Sequence, residues 1–459
     1  MAKRKYLELS ERKLLLRVLD LIIIIISLFV AFKYLNFEYI SFKDSNITMW
    51  LLTLSVYTLL IGEIFQLYNL NVSNNRFQVV RSIFVSTFFI TITYIFTPIL
   101  APFLPENRVE VLYFFLLMTI PLIIWRFLYI GLLFSPKYFK TIIVIGHNTR
   151  LKKLLPVISN YKLHNVSNYI SNQKLNEFEN YSDITKINVR KTIKNSIATE
   201  VIVSSTGFSD DIVKKLNQEL ILLFEEGINI KSFETYYEEI TDRVPKEYLD
   251  HNFYKNITFS KHNSSGLYLF IHRAIDVIIS LLGSFLFLFV IPFIFLGNLL
   301  GNRGPLFYGQ ERVGKKGKTF KILKLRSMVT DAEKNGAVWA QKNDARITKF
   351  GRFLRLTRLD EVPQFYNILK GDMSLIGPRP ERPEFVKDLE NQIPFYAIRH
   401  VVRPGLTGWA QVNYPYANTI EEQETKLRYD LYYIKERSAF LDFKILIKTI
   451  STVLFFKGQ

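Results

Sequence analysis

The sequence predicts a membrane protein: an N-terminal four-helix transmembrane bundle followed by a Rossmann-like α/β middle domain. Three observations support this. The first third of the 459-residue chain holds four apolar runs, each near the ~20 residues that cross a bilayer. The next stretch turns soluble in pattern and contains two short, wholly apolar segments of the kind buried in parallel sheets. The composition joins 49% hydrophobic and 15% aromatic residues to a net charge of +18. Such a basic surplus points to nucleic acid or to anionic membrane. The long apolar runs favour the lipid bilayer, and no nucleic acid is expected. With no cysteine in the chain, a disulfide framework, a thiolate nucleophile and a cysteine zinc site are excluded.

The four runs lie near 14–35, 48–69, 80–103 and 110–134, inside a transmembrane domain placed at 1–137. The first is long and lacks a small-residue cleavage site, so a cleaved signal peptide is not expected. Positive charge sets the direction of the bundle. The N-terminal tail carries Lys3, Arg4, Lys5, Arg12, Lys13 and Arg17, and Lys137, Lys140, Arg150, Lys152 and Lys153 follow the fourth run. The loops between offer only Lys43, then Arg76 and Arg81, then Arg108. Both ends therefore face the cytoplasm. Arg126, near the inner end of the fourth run, reads as a snorkelling side chain rather than part of an ion path.

The α/β domain is placed at 138–258. "KTIIVIG" (140–146) and "EVIVSS" (200–205) read as buried parallel strands, each with a helix behind it. The turn after the first is "GHNTR", which keeps only Gly146 of a G-x-G-x-x-G. A structural or regulatory role is favoured over dinucleotide binding. The Asn-, Lys- and Ser-rich stretch 159–198 reads as irregular, and 233–253 as a connecting segment.

A fifth apolar run follows Asp276 and carries no charge for 24 residues. At 1.5 Å per residue it reaches ~36 Å, against a hydrocarbon core of ~30 Å. Two features argue against crossing. Basic residues stand on both sides: Lys255, Lys261 and Arg273 before, then Arg303, Arg312, Lys315, Lys316, Lys318, Lys321 and Lys324 after. Pro292 within the run has no N–H for the Leu288 carbonyl, so a kink is expected. A broken helix of about 268–301 that re-enters one leaflet is favoured, while crossing stays open on these grounds.

Residues 303–358 hold fifteen Lys/Arg and four Asp/Glu, a net of +11. The adjacent carboxylates Asp360 and Glu361 come directly after. Carboxylates among arginines suit phosphate chemistry, because guanidinium forks neutralise and orient phosphoryl oxygens. One carboxylate can attack phosphorus while its neighbour holds a magnesium ion. A second reading is equally open, since Thr357-x-x-Asp360 with Pro363 after it matches a helix capping box. "GQERVGKK" (309–316) matches a P-loop except that Lys316 replaces Ser/Thr. Its sequel reads as turn then strand, so a basic turn at a membrane surface is the better reading. "LDFKILIKTISTVLFFKG" (441–458) suits an interfacial helix with Lys444, Lys448 and Lys457, in preference to a core helix. "GPRPE" and "RPGLTG" read as rigid turns, with Arg379 set between two prolines.

"HRAID" before the apolar run, "FKILKLRSM", "LTRLDEVPQFYNILKGDMSLIGPRPE", "RPGLTGWAQV" and "YDLYYI" follow one another in the order seen in a known family. Over about 265–459 the chain resembles the bacterial sugar transferases, the polyprenyl-phosphate hexose-1-phosphate transferases. With the segments before it, the chain resembles their long form, the long-form monotopic phosphoglycosyl transferases. The resemblance implies a C-terminal α+β catalytic domain, placed at 259–459, carried on a re-entrant membrane helix. It implies transfer of a hexose 1-phosphate from a UDP-sugar to undecaprenyl phosphate with release of UMP, for exopolysaccharide, O-antigen or capsule biosynthesis. By the same resemblance Asp360 is the nucleophile, forming a phosphosugar-aspartyl intermediate, and Glu361 helps bind the Mg2+ cofactor. Lys324, Arg326, Arg355 and Arg379 match or flank phosphate-holding positions. Arg273 and Asp276 match the entry of the re-entrant helix, and Pro292 its break. Ile291 stands where the family often has a Ser, which leaves the geometry of the bend open.

The expected setting is the bacterial inner membrane with the catalytic domain on the cytoplasmic face, where UDP-sugars are found. Downstream glycosyltransferases are the expected partners, and a homo-oligomer stays open. Two rival readings are a non-catalytic membrane scaffold or nucleotide sensor in glycan assembly, and a pyrophosphatase that splits UDP-sugars with water.

Overall fold

A computed structural model describes residues 9–454, apart from 36, 69–75, 106, 133–139, 161–163, 177, 187, 197, 199, 250–262, 264, 303, 333–343 and 415–416. Of the basic positions read above, Lys3, Arg4, Lys5, Lys137, Lys255, Lys261, Arg303 and Lys457 lie outside the described residues. The chain divides into two compact units, Met1–Tyr236 and Tyr237–Gln459.

The first unit begins with four long helices, α1 (Leu9–Tyr34), α2 (Ile47–Ile64), α3 (Arg76–Ile95) and α4 (Val109–Leu132). Helix α1 starts ahead of its apolar run, with Glu11 in the first turn where the helix dipole favours an acid. Helix α3 stops short of the expected end because Pro98 disfavours helical geometry at Thr97. Each helix is long and apolar enough to cross a membrane. All four share one core that includes Leu16, Ile24, Leu54, Ile83, Ile90, Phe114 and Met118. Outward side chains such as Phe84, Phe88, Leu112 and Ile124 stay exposed, as a surface facing lipid requires. Arg126 does not snorkel. It is 3% exposed and donates to Asp20 on α1 at 2.6 Å. A charge at this depth is held more cheaply by a counter-ion on a neighbouring helix than alone.

After the bundle in the chain comes a five-stranded parallel sheet in the order β3-β2-β1-β4-β5. Its strands are β1 (Lys140–Ile145), β2 (His164–Ser171), β3 (Tyr181–Asp183), β4 (Glu200–Val203) and β5 (Asn229–Ser232). Helices α5 (Asn148–Asn160), α6 (Val189–Asn195) and α7 (Asp210–Glu225) connect them. The two predicted strands are β1 and β4, side by side at the centre of the sheet, where both faces are covered and the residues run apolar. The stretch 159–198 is not irregular, since it carries β2, β3 and α6. Ile170, Ile184, Val189 and Ile193 from this stretch enter the core, and Asn and Ser between them mask the strand pattern. At the end of β1 the Gly146 amide donates to the Ile170 carbonyl at 3.0 Å. The next residue, His147, bonds Thr149 and Asn172 through its ring nitrogens.

Helix α8 (Phe233–Thr241) runs across the boundary between the units. The segment 233–253 is more than a connection. Val244, Tyr248 and Leu249 join Val386, Leu389, Leu427, Leu431 and Ile434 in the core of the second unit. Arg428 donates to the Val244 carbonyl at 2.7 Å and to the Tyr237 hydroxyl at 2.6 Å.

The second unit is built on α9 (Gly266–Gly301), a 36-residue helix. Helical geometry continues through Pro292, so the expected break into two helices is not formed. The proline removes one backbone bond, while packing beyond it holds the last turns in place. Ile294 lies with Leu325 and Leu354, and Asn302 donates to the Arg326 carbonyl at 2.7 Å. The start of α9 is held by the same unit, with Arg273 and Asp276 bonded to residues 368–375. From 273 to 302 a helix rises roughly 43 Å, and elements of one unit hold both ends.

The hairpin β6 (Phe307–Val313) and β7 (Thr319–Leu325) follows α9. "GQERVGKK" is therefore strand and turn, closed by Lys316 and Gly317 with positive φ. Then come α10 (Lys349–Leu356), α11 (Gln364–Lys370), β8 (Ser374–Ile376), α12 (Pro383–Gln392), β9 (Gly405–Thr407), α13 (Trp409–Asn413), α14 (Ile420–Glu436) and α15 (Ala439–Leu454). Strands β8 and β9 pair in parallel. Helix α15 is a core helix on one face, with Leu441 and Ile445 packed beside Trp409 and Tyr433. Lys444 and Lys448 lie over the Trp409 ring at 4.8 and 4.4 Å. Phe440, Phe443, Ile450 and Val453 form its other, exposed and apolar face.

Candidate active site

Helix α10 opens at Thr348, whose hydroxyl accepts from the Gly351 amide at 2.8 Å. Only glycine fits at 351, because a Cβ there would press on the Ser327 backbone. The helix ends at Thr357, whose hydroxyl donates back to the Phe353 carbonyl at 2.9 Å. Thr357 is a C-cap, so the Thr357–Asp360 capping box is not formed. Arg358 takes the left-handed conformation at φ 59° and swings the chain into a short 3-10 turn, Leu359–Glu361. Pro363 then starts α11, which Gly371 ends at φ 93°. Asp360 and Glu361 thus sit on a tight turn between two helices, and both are buried.

The two carboxylates have different surroundings. Glu361 Oε1 accepts from Arg379 Nη2 at 2.6 Å and from Lys324 Nζ at 3.2 Å. Its Oε2 lies 3.7 Å from Arg358. Burial pushes Glu361 upward, but Arg379, Lys324 and Arg358 outweigh it and hold the group well below the usual carboxylate range. Asp360 is pushed the other way, first by burial and then by the charge of Glu361, against the opposing pull of Lys324, Arg355 and Arg358. Its Oδ1 is buried without a hydrogen-bond partner. Burial lowers Lys324, and the Glu361 charge raises Arg379. Four cations thus act on two anions at this turn.

Of the residues singled out in the sequence, Asp360, Glu361, Lys324 and Arg379 come together. Arg355 adds charge beside Asp360 while its Nε donates to Ser327 Oγ at 2.9 Å. Arg326 is not directed at the carboxylates. Its Nε donates to the Pro305 carbonyl at 2.9 Å, and the guanidinium lies over Tyr308 at the base of the hairpin. Arg273 and Asp276 are tethers. The Arg273 fork donates to the Ile368 and Leu369 carbonyls at 2.6 and 2.8 Å, closing the end of α11. Asp276 accepts from the Leu375 amide at 2.8 Å and the Ser374 hydroxyl at 3.0 Å. Pro292 is exposed, in the last third of α9.

Several supporting residues escaped the sequence reading. Arg399 donates to the Arg379 carbonyl at 2.9 Å, and Arg312 to the Pro380 carbonyl at 3.2 Å. Glu381 pairs with Lys426 at 2.6 Å, and Arg399 with Asp430 at 2.8 Å. These contacts fix the loop that presents Arg379. Arg358 was the one legible signal, three positions before Glu361 and inside the quoted motif.

Among the described residues no group of three or more His, Cys, Asp or Glu forms a ready metal cage. Two carboxylates, one with a free buried oxygen, still fit magnesium, which typically takes one or two carboxylates and completes its shell with substrate phosphates and water.

A family model described as bacterial sugar transferase matches residues 267–456. The chain is 42% identical over 217 residues to the UDP-N-acetylgalactosamine-undecaprenyl-phosphate N-acetylgalactosaminephosphotransferase of Aeromonas hydrophila, covering 47% of this chain and 50% of that protein. It is 40% identical over 196 residues to the UDP-glucose:undecaprenyl-phosphate glucose-1-phosphate transferase of Escherichia coli, covering 42% of this chain and 41% of that one. A relative of the same name from Caulobacter vibrioides is 38% identical over 184 residues, covering 40% of this chain and 69% of the relative. The chain thus spans half or less of the first two relatives.

Proposed function

The chain belongs to the bacterial sugar transferase family, and from that premise we propose that it moves a hexose 1-phosphate, plain or N-acetylated, from a UDP-sugar to undecaprenyl phosphate. Asp360 attacks the sugar-bearing phosphorus, and the bond from that phosphorus to the UMP oxygen breaks. UMP leaves with the electron pair, and a phosphosugar-aspartyl intermediate remains. An oxygen of the lipid phosphate then attacks the same phosphorus and expels the Asp360 carboxylate, giving a lipid-linked diphosphate sugar.

The observation that supports this most directly is the buried, unpartnered Oδ1 of Asp360 among Lys324, Arg355 and Arg358. A carboxylate approaching a pyrophosphate meets repulsion that these cations offset. Glu361, neutralised by Arg379 and Lys324, keeps both in place. Glu361 would help hold Mg2+, which supplies further charge neutralisation on the phosphates.

The lipid phosphate sits at headgroup level, so the nucleophile belongs there too. Both ends of α9 are held by the same unit, which supports its middle dipping into the inner leaflet rather than crossing. The active face is then cytoplasmic, at the inner membrane, and the product feeds glycosyltransferases that extend the glycan.

The test is UMP release by the full chain in lipid nanodiscs, across a set of UDP-sugars. Turnover is expected only with both undecaprenyl phosphate and magnesium, and Asp360→Asn should abolish it. Sustained UMP release without lipid, beyond a single-turnover burst, would make the protein a hydrolase. Undiminished turnover in Asp360→Asn would remove the nucleophile assignment.

A further inference from the structure

The catalytic turn is flanked by two aromatic side chains, and each is seated against glycine on α9. Phe365 of α11 lies against Gly283, where a Cβ would come within 2.8 Å of its Cδ2. Phe350 of α10 lies against Gly297 and Gly301, where Cβ atoms would stand 2.5 Å from its Cε2 and 2.6 Å from its own Cβ. Contacts this short do not occur between real side chains, so each ring occupies the space that a side chain on α9 would need. Positions 283 and 301 are five helical turns apart at 3.6 residues per turn, so they share one face, with 297 beside it. Ile294 and Asn298 lie on the same side and are buried. On the other sides Phe285, Leu288 and Phe289 are exposed, the surface lipid would cover.

We propose that these two phenylalanine-in-glycine sockets set the height of Asp360 relative to the bilayer, making Gly283, Gly297, Phe350 and Phe365 positioning residues for the lipid-dependent half of the reaction. The inference rests on the two-step reading above. The exposed apolar side chains of α9 seat it in the bilayer. The Asp360 turn is joined to it on one side through Phe350 and on the other through Phe365. A bulkier residue in either socket lifts α10 or α11 away from α9 and moves the turn. The two substrates respond differently to such a shift. A UDP-sugar diffuses in water and reaches Asp360 at any height, whereas the lipid phosphate is confined to the headgroup plane. A displacement of about 1 Å can cost roughly 100-fold where reacting groups cannot follow.

The experiment uses the full chain in nanodiscs and separates the half-reactions. Exchange of labelled UMP into UDP-sugar needs no lipid and reports the Asp360 step alone. UMP release with undecaprenyl phosphate reports both. Gly283→Ala and Gly297→Ala are expected to keep exchange within about twofold while transfer to lipid falls roughly 10- to 100-fold. Gly283→Ala combined with Phe365→Leu, which removes the opposing ring, should recover most of the transfer. Phe365→Leu and Phe350→Leu alone, which leave α9 untouched, provide the same comparison should an alanine variant fail to fold. Equal loss of exchange and transfer, or loss of neither, would overturn the proposal. If the unaltered protein shows no exchange, the two-step reading fails instead. The sockets are then judged by transfer to a short, water-soluble isoprenoid phosphate, which the variants should retain while losing transfer to the long one. Loss of both would overturn them.

Discussion

Buried charge occurs in both units of this protein, and it is arranged differently in each. In the helical bundle buried Asp20 meets buried Arg126, one cation to one anion. At the turn in the second unit Asp360 and Glu361 lie among Lys324, Arg355, Arg358 and Arg379. A balanced pair joins two helices and has no charge left for a ligand. A surplus of cations around a carboxylate with a free oxygen leaves the site waiting for an anion. Burial by itself is therefore a poor sign of function, and local charge balance is a better one.

The largest expected effect comes from removing the free carboxylate. Asp360→Asn should lower steady-state UMP release by about 10³-fold or more. Glu361→Gln takes away the anion that gathers Arg379, Lys324 and Arg358. Turnover should fall about 100-fold, and stability by about 3 kcal/mol as buried cations lose their partner, read by thermal melting. If this variant melts like the parent, the cations relax into solvent and the site is less rigid than the distances imply. Asp20→Asn should destabilise by a similar ~3 kcal/mol, yet leave turnover per folded molecule unchanged. Exchanging the charges, Asp20→Arg with Arg126→Asp, should recover part of the stability. A loss of turnover beyond the folded fraction would erase the contrast between the two clusters.

Two smaller effects concern pH. Asp360 is pushed up to about 6, and the proposed attack requires it ionised. Its charged fraction falls as pH drops through that value, so kcat/KM should decline about tenfold per unit below it. Glu361→Gln removes the neighbouring negative charge and should move this acid limb to lower pH. The same shift affects stability. A carboxyl with a raised folded-state pKa binds more protons folded than unfolded, so its contribution falls as pH rises from about 4 towards 6. Asp360→Asn should thus melt a few degrees higher than the parent at neutral pH, even as its turnover is expected to fall.

Some of this could be read from sequence because its cause is local. Strands β1 and β4 run apolar since both faces of a central strand are covered, whereas β2 carries Asn and Ser and was missed. Asp360 and Glu361 are neighbours in the chain, so their pairing needed no fold. The capping-box reading failed because one turn, with Arg358 in the left-handed conformation, separates Thr357 from Asp360.

The sequence by itself determined that long apolar helices form and which carboxylates stand side by side, because hydrophobic runs and covalent adjacency act over a few residues, whereas the helix ends moved. Tertiary structure alone decided which cation neutralises which anion. Lys324 reaches Glu361 across 37 positions and Arg126 reaches Asp20 across 106, since Coulomb attraction depends on distance in space and leaves no period in the chain. It also turned Arg126 inward and Arg326 away from the carboxylates. For α9, tertiary structure supplied the contacts that tie both of its ends to one unit.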